Sequence, residues 1–181
     1  MVKVGHRSDL SQLRTMSADT EPPIHDMIKP LSWLLGKWRG EGGVGKYPTI
    51  KDFNYDEELT FTHVGQPNIQ FSFFSSNAET KKPLHRELGF IRFQPGTKHC
   101  ALLIAHNLGV SEVEEGEFTD TEIRTESHTV GRLTFGKPPE TKKIARVFRK
   151  IGEDLEQVVS METKDTPMTE HLRITYKKVS P

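Results

Sequence analysis

From Trp38 onward this chain of 181 residues breaks into short runs divided by turn signals, and that punctuation excludes most folds. Strand-length runs fall at about 37–43, 54–64, 68–75, 84–94, 98–106, 109–117, 121–127, 129–135, 142–150, 154–161 and 168–179. Phe53, Tyr55, Leu59 and Phe61 share one parity of their run, and Ile69, Phe71 and Phe73 share one parity of the next. That period of two marks half-buried strands. Gly65-Gln-Pro67, Gln94-Pro-Gly96, Asn107-Leu-Gly109, Lys137-Pro-Pro139 and Thr166-Pro167 supply turns between them. About ten short strands with almost no helix predict an all-β, antiparallel up-and-down meander that removes its edges by closing into a barrel. A barrel of that strand number is wide enough to hold a ligand inside.

Ahead of the strands, Pro30 and Gly36 bracket Leu31-Ser-Trp33-Leu34-Leu35, which predicts a short helix resting on the barrel. Residues 1–27 are polar, carry Pro22-Pro23 and show no sustained period, so they are expected to form a disordered tail before a domain at 28–181. Gly36, Gly40 and Gly42 alternate around Trp38. Glycines so placed weaken a strand, and a sharp bend at a barrel corner or the close approach of a flat ligand to bare backbone is the expected reason.

Charge and cysteine content limit the function classes. Lys+Arg and Asp+Glu both total 25, giving a formal net charge of +0, so no basic footprint points to nucleic acid or a membrane surface. The apolar run Ala101–Ala105 is far too short to span a bilayer. Cys100 is the single cysteine, which excludes an intrachain disulfide. With no secretory signal at the start, a cytoplasmic location, with the nucleus as a second site, is expected. Cys100 itself reads as a buried, inert thiol.

Two segments resemble a known family. Pro30-Leu-Ser-Trp33-Leu-Leu-Gly36-Lys-Trp38-Arg-Gly40-Glu-Gly42, followed by Tyr47-Pro-Thr49-Ile50, Phe53 and Tyr55, is similar to the nitrobindins, within the broader calycin and fatty-acid-binding-protein architecture. Leu84-His85-Arg-Glu, Gly109-Val-Ser-Glu-Val, Val159-Ser-Met161 and Met168-Thr-Glu-His171-Leu extend the match from about Pro30 to Pro181. It is especially close to the nitrobindin-like domain that ends animal THAP-type zinc-finger proteins, without any zinc-finger cysteine–histidine cluster.

The resemblance implies a haem b-binding barrel that binds nitric oxide and isomerises peroxynitrite to nitrate. By motif, His171 would be the axial iron ligand and so the catalytic residue, while Thr49, Met161 and His85 would contact the cofactor. A homodimer is an admissible assembly. A neutral imidazole is a standard haem ligand, and an open opposite face suits gas binding. The alternatives are a haem-free carrier of a fatty acid or other small apolar molecule, and an interaction domain with a vestigial cavity.

Strand patterning opposes one part of this reading. His171 shares parity with Arg173, Thr175 and Lys177, whereas Leu172, Ile174 and Tyr176 take the other face. Alternation alone sends His171 to water, unless a bulge shifts the register or the barrel interior is partly polar. The calycin resemblance implies a basic side chain of the last strand over Trp38, and Arg173 is the residue expected there. His85 and His106 fall in apolar runs and are expected to line the pocket or to be satisfied structural histidines. His63, His99 and His128 are expected at the surface, and the acidic run Glu112–Glu117 as a solvated strand face.

Overall fold

A computed structural model of the chain describes residues 22–136 and 138–179. A 3-10 helix, Asp26–Leu34, precedes ten strands: β1 (Gly36–Tyr47), β2 (Ile50–Thr62), β3 (Asn68–Asn77), β4 (Pro83–Phe93) and β5 (His99–His106), then β6 (Val110–Phe118), β7 (Glu122–Arg132), β8 (Thr141–Ile151), β9 (Asp154–Thr163) and β10 (Thr166–Lys178). Each strand pairs antiparallel with its sequence neighbours, and β1 pairs with β10, closing the barrel. The expected all-β up-and-down barrel is therefore the observed one. Of the expected tail, residues 1–21 and with them His6 lie outside the described residues. The helix starts at Asp26, inside the stretch assigned to the tail, and Ile28 is fully buried.

The runs at 121–127 and 129–135 are one strand. Val113 pairs with Thr129 and Glu114 with Ser127, so His128 is an extra residue bulged out of β7. The bulge interrupts alternation there, which is why the sequence reads as two runs.

The helix closes one end of the barrel. Ile28, Leu31 and Leu34 join Leu59, Phe61, Ile69, Phe71, Phe93, Leu102, Phe118, Ile123, Phe148 and Leu155 in one core. Trp38 Nε1–H donates to the Leu34 carbonyl at 2.8 Å, fixing the helix to β1. Lys178, not Arg173, covers Trp38: its ammonium lies 5.1 Å from the ring centroid, and Trp38 and Lys178 are register partners. Arg173 instead pairs with Glu156 and Glu170 on the outer surface. His63, expected at the surface, is buried at this end, and its Nδ1 accepts the Gly65 N–H. Cys100 is buried as expected, and burial pushes its thiol up to about 12.

Glycine 43 explains part of the Gly-rich strand. A Cβ on Gly43 would sit 2.7 Å from the Ile174 side chain, so the bare backbone of β1 lets inward residues of β10 fill the barrel. Gly42 has φ +67, the left-handed value, in the bulge between Gly40 and Val44.

Candidate functional site

The end opposite the helix holds a cavity of about 480 Å³. That is within the usual range for a small-molecule site. β2 to β6 and β8 to β10 supply it, mostly by alternation. On β2 the inward series runs Phe53, Tyr55, Glu57 from the mouth down, on β4 it runs His85, Glu87, and on β8 it runs Ile144, Arg146 before reaching the core at Phe148. Leu84 and Leu108 stand at the mouth, 37% and 63% exposed.

His171 faces this cavity, and a bulge turns it there. Glu170 pairs with Ser160 and Leu172 with Val159, so His171 is the residue left over in β10. His171 and Leu172 therefore both line the cavity, which strict alternation forbids. His171 Nδ1–H donates to the Lys46 carbonyl at 2.9 Å. That bond fixes the tautomer and leaves Nε2 with a bare lone pair. Burial lowers the His171 pKa, and the Lys46 bond only partly opposes it, so the ring is neutral at pH 7. Tyr47 and Phe53 meet the imidazole edge-on at centroid distances of 5.4 and 6.4 Å. The Tyr47 hydroxyl donates to the Met161 carbonyl at 3.2 Å, which ties the wall around His171 together.

The other residues expected at the site are placed as follows. Met161 lines the cavity next to Thr141, whose hydroxyl approaches its sulfur at 3.7 Å. His85 lines it from β4, across the barrel from β10 in the strand order. Thr49 is exposed in the two-residue turn between β1 and β2, at the cavity end but outside the cavity wall.

Beneath the cavity lies a polar layer. Arg146 is 1% exposed and pairs with Glu87 at 2.9 Å, Glu114 at 3.3 Å and Glu112 at 3.5 Å. Glu112 and Glu114 are thus buried, and the expectation of a solvated face is wrong for these two. Their parity is the inward one because it also carries Val110 and Phe118, while Glu115 and Glu117 point out. The signal was legible: Arg146 shares parity with Ile144 and Phe148, so a cation lay on an apolar face awaiting carboxylates.

Electrostatics in this layer follow from burial against pairing. Burial would raise Glu87, but Arg146 and the two neighbouring histidines outweigh it and hold the carboxyl below its usual range. Burial dominates at Glu57 and Glu114 and pushes each up to about 7. The Tyr176 hydroxyl donates to Glu57 at 2.5 Å. With its amide oxygen turned toward Arg146 Nη1 at 2.8 Å, Gln157 donates to the Tyr176 oxygen and links the two groups. His106 Nε2 lies 2.9 Å from Glu112, and its Nδ1 lies 2.9 Å from His85 Nε2. Sequence reasoning left His106 as an ordinary pocket or structural histidine, and its pairing with Glu112 depends on strand register that spacing does not show.

Residues 27–178 match the family described as "THAP4-like, heme-binding beta-barrel domain". The chain belongs to this nitrobindin family. A rat protein named "Peroxynitrite isomerase THAP4" is 51% identical over 164 residues, covering 89% of this chain and 29% of that protein. The chain thus spans under a third of the length of that animal relative. An Arabidopsis thaliana protein named "Peroxynitrite isomerase Rv2717c" is 35% identical over 173 residues, covering 94% of this chain and 100% of that protein. The crystal structure of Rv2717c from M. tuberculosis superposes with a TM-score of 0.79 at 31% identity, covering 87% of this chain and 100% of the other. As a nitrobindin-family barrel, the chain sets His171, with Nε2 bare, in a cavity wall that includes the apolar side chains of Phe53, Val159, Met161 and Leu172. That donor set fits a haem held by one axial histidine.

Proposed function

We propose that this barrel binds haem b in the cavity, with His171 Nε2 as the axial ligand, binds nitric oxide there, and isomerises peroxynitrite to nitrate. The observation that carries the reading is the His171 tautomer. The Lys46 carbonyl accepts the Nδ1–H hydrogen bond, which leaves Nε2 free on a side chain that lines the cavity. A hydrogen bond from the other ring nitrogen to a carbonyl orients a metal-binding histidine and raises its basicity.

When bound, haem would be held by His171 and would supply a Lewis-acidic iron for the isomerisation of peroxynitrite to nitrate. The chain's own residues bind and shield. His171, neutral at pH 7, needs no deprotonation to ligate. Met161, Val159, Leu172 and Phe53 exclude water from the ligand faces. Thr49, in the turn beside the mouth, is positioned to reach a polar edge projecting from the cavity, and His85 lines the far wall. No side chain has to transfer a proton, because peroxynitrite and nitrate are isomers. A cytosolic or nuclear location suits this chemistry and the unpaired buried Cys100.

The test is titration of the purified chain with ferric haem. A Soret band saturating with added haem is expected, and its loss in His171→Ala. A band that persists unchanged in His171→Ala would sink the assignment. Binding of a fluorescent fatty-acid probe that ignores His171, with no Soret band, would favour the apolar carrier instead.

A further inference from the structure

We propose a second metal site in the same cavity: a divalent transition-metal ion held by His85, His106 and Glu87, across the barrel from His171. The three residues can each offer a ligand atom with all three atoms within 4.8 Å of one another. The spacings suit an ion. His85 Nε2 and His106 Nδ1 are 2.9 Å apart, and His106 Nδ1 and Glu87 Oε1 are 3.6 Å apart. A tetrahedral ion with bonds near 2.1 Å separates its ligand atoms by about 3.4 Å, between those two values.

Proton counting favours a cation here. His106 Nε2–H donates to Glu112, which leaves His106 Nδ1 as an acceptor. His85 Nε2–H then donates to it, which leaves His85 Nδ1 bare, 3.6 Å from Glu87 Oε1. Two acceptors face each other with no proton between them. An ion taking the place of the shared proton, which moves to His85 Nδ1 beside Glu87, would satisfy His85, His106 and Glu87 together.

The surroundings are those of a metal site. The Glu112–His106 bond is a carboxylate–histidine pair of the kind that orients ligating imidazoles. Arg146 engages the other Glu87 oxygen at 2.9 Å and leaves Oε1 for an ion. Charge points the same way. Arg146 is the one permanent cation among the described residues of this layer, against the buried carboxyls of Glu87, Glu112 and Glu114. Two histidines and one carboxylate with the remaining positions open toward a cavity suit zinc, cobalt or ferrous iron.

Cobalt(II) is the probe. The haem-free chain titrated with Co²⁺ is expected to develop the visible d–d bands of a low-coordinate ion, and Zn²⁺ to displace it. His85→Ala and His106→Ala should abolish the bands. Glu112→Gln, which touches no metal in this scheme, should weaken binding about tenfold to a hundredfold. His171→Ala should leave the cobalt spectrum intact while losing the haem Soret band. Failure of the haem reading is therefore distinct from failure of this one. The absence of d–d bands in the wild type, or bands that survive His85→Ala, or bands lost with His171→Ala, overturns the site. Should His106→Ala not fold, as judged by its thermal transition, His85→Ala decides the matter, because His85 lies nearer the cavity mouth and its side chain is 25% exposed against 6% for His106.

Discussion

At the helix end of the barrel, the inward positions of β2, β4 and β8 carry Phe61, Phe93 and Phe148; toward the mouth the same strands carry Tyr55, His85 and Ile144. Between them lie Glu57, Glu87 and Arg146, one step along each strand. Alternation places all nine side chains inside, so backbone geometry does not distinguish the ends. Side-chain chemistry does. The helix end has aromatic rings in contact, such as Phe61 and Phe148 at 5.9 Å in edge-to-face contact, and the helix covers it. The mouth end leaves its volume empty and sets charges beneath the void. Arg146 forms the boundary, 5.9 Å from the Phe73 centroid and 6.0 Å from that of Phe148, with carboxylates on its other sides. One end holds the fold together by burial, and the other can spend its interior on a ligand.

The largest expected effect comes from breaking that boundary. Arg146→Ala leaves Glu87, Glu112 and Glu114 buried without their cation and should cost about 3–5 kcal/mol. Phe61→Ala at the helix end should cost a similar amount, about 3–5 kcal/mol, through the cavity it opens. The two variants part company with pH. Acid protonates the abandoned carboxylates, so the Arg146→Ala deficit should shrink as the pH falls, while the Phe61→Ala deficit should stay constant. Denaturant midpoints across pH measure both. Parallel pH curves for the two variants would mean that the ends do not differ as described.

A second, smaller effect sharpens the contrast. Burial pushes Glu57 up to about 7 from an ordinary value of 4.5. A folded pKa above the unfolded one means that the native state binds the proton more tightly. The stabilisation is whole below about pH 4.5 and is lost as the pH rises through about 7. Glu57→Gln still accepts the Tyr176 hydroxyl but does not titrate. At pH 8 the variant should be the more stable by about 1–3 kcal/mol, and near pH 4.5 the two proteins should match. A gap that ignores pH would show that Glu57 is not strained by ionisation.

How much of this was legible in the sequence depends on how local its cause is. Alternation in β2 and β3 and the Gly and Pro turns specified the strands, and closure followed because an open meander would leave two edges. The inward series at the helix end was legible too, since Phe61, Phe71 and Phe73 announce their face. The site was less so, for two physical reasons. His171 and His128 are bulged residues, and a bulge is decided by pairing with a partner strand far away in sequence. Glu112 and Glu114 look like surface residues until Arg146 on β8 is brought against them, so charge misleads where the partner is distant. The His171 parity argument failed for the first reason and the acidic-face reading for the second.

The smallest effect separates two candidates for one contact at the helix end. A basic side chain from β10 covers Trp38, and patterning with family likeness chose Arg173. Register chooses differently: Trp38 stands opposite Lys178, while Arg173 stands opposite Val44. Lys178 also reaches the Trp33 carbonyl at 3.3 Å, so its ammonium is held between the helix and the ring. A partly exposed cation over an indole contributes about 0.5–1 kcal/mol. A double-mutant cycle of Lys178→Ala with Trp38→Phe should therefore return a coupling of about that size, and the same cycle with Arg173→Ala should return none, because Arg173 is engaged with Glu156 and Glu170. Coupling through Arg173 rather than Lys178 would place the β1–β10 register differently. Val44 and Gly45 stand opposite Arg173 and Leu172 in that same pairing, so the smallest contact at the closed end tests the register beside His171 at the open one.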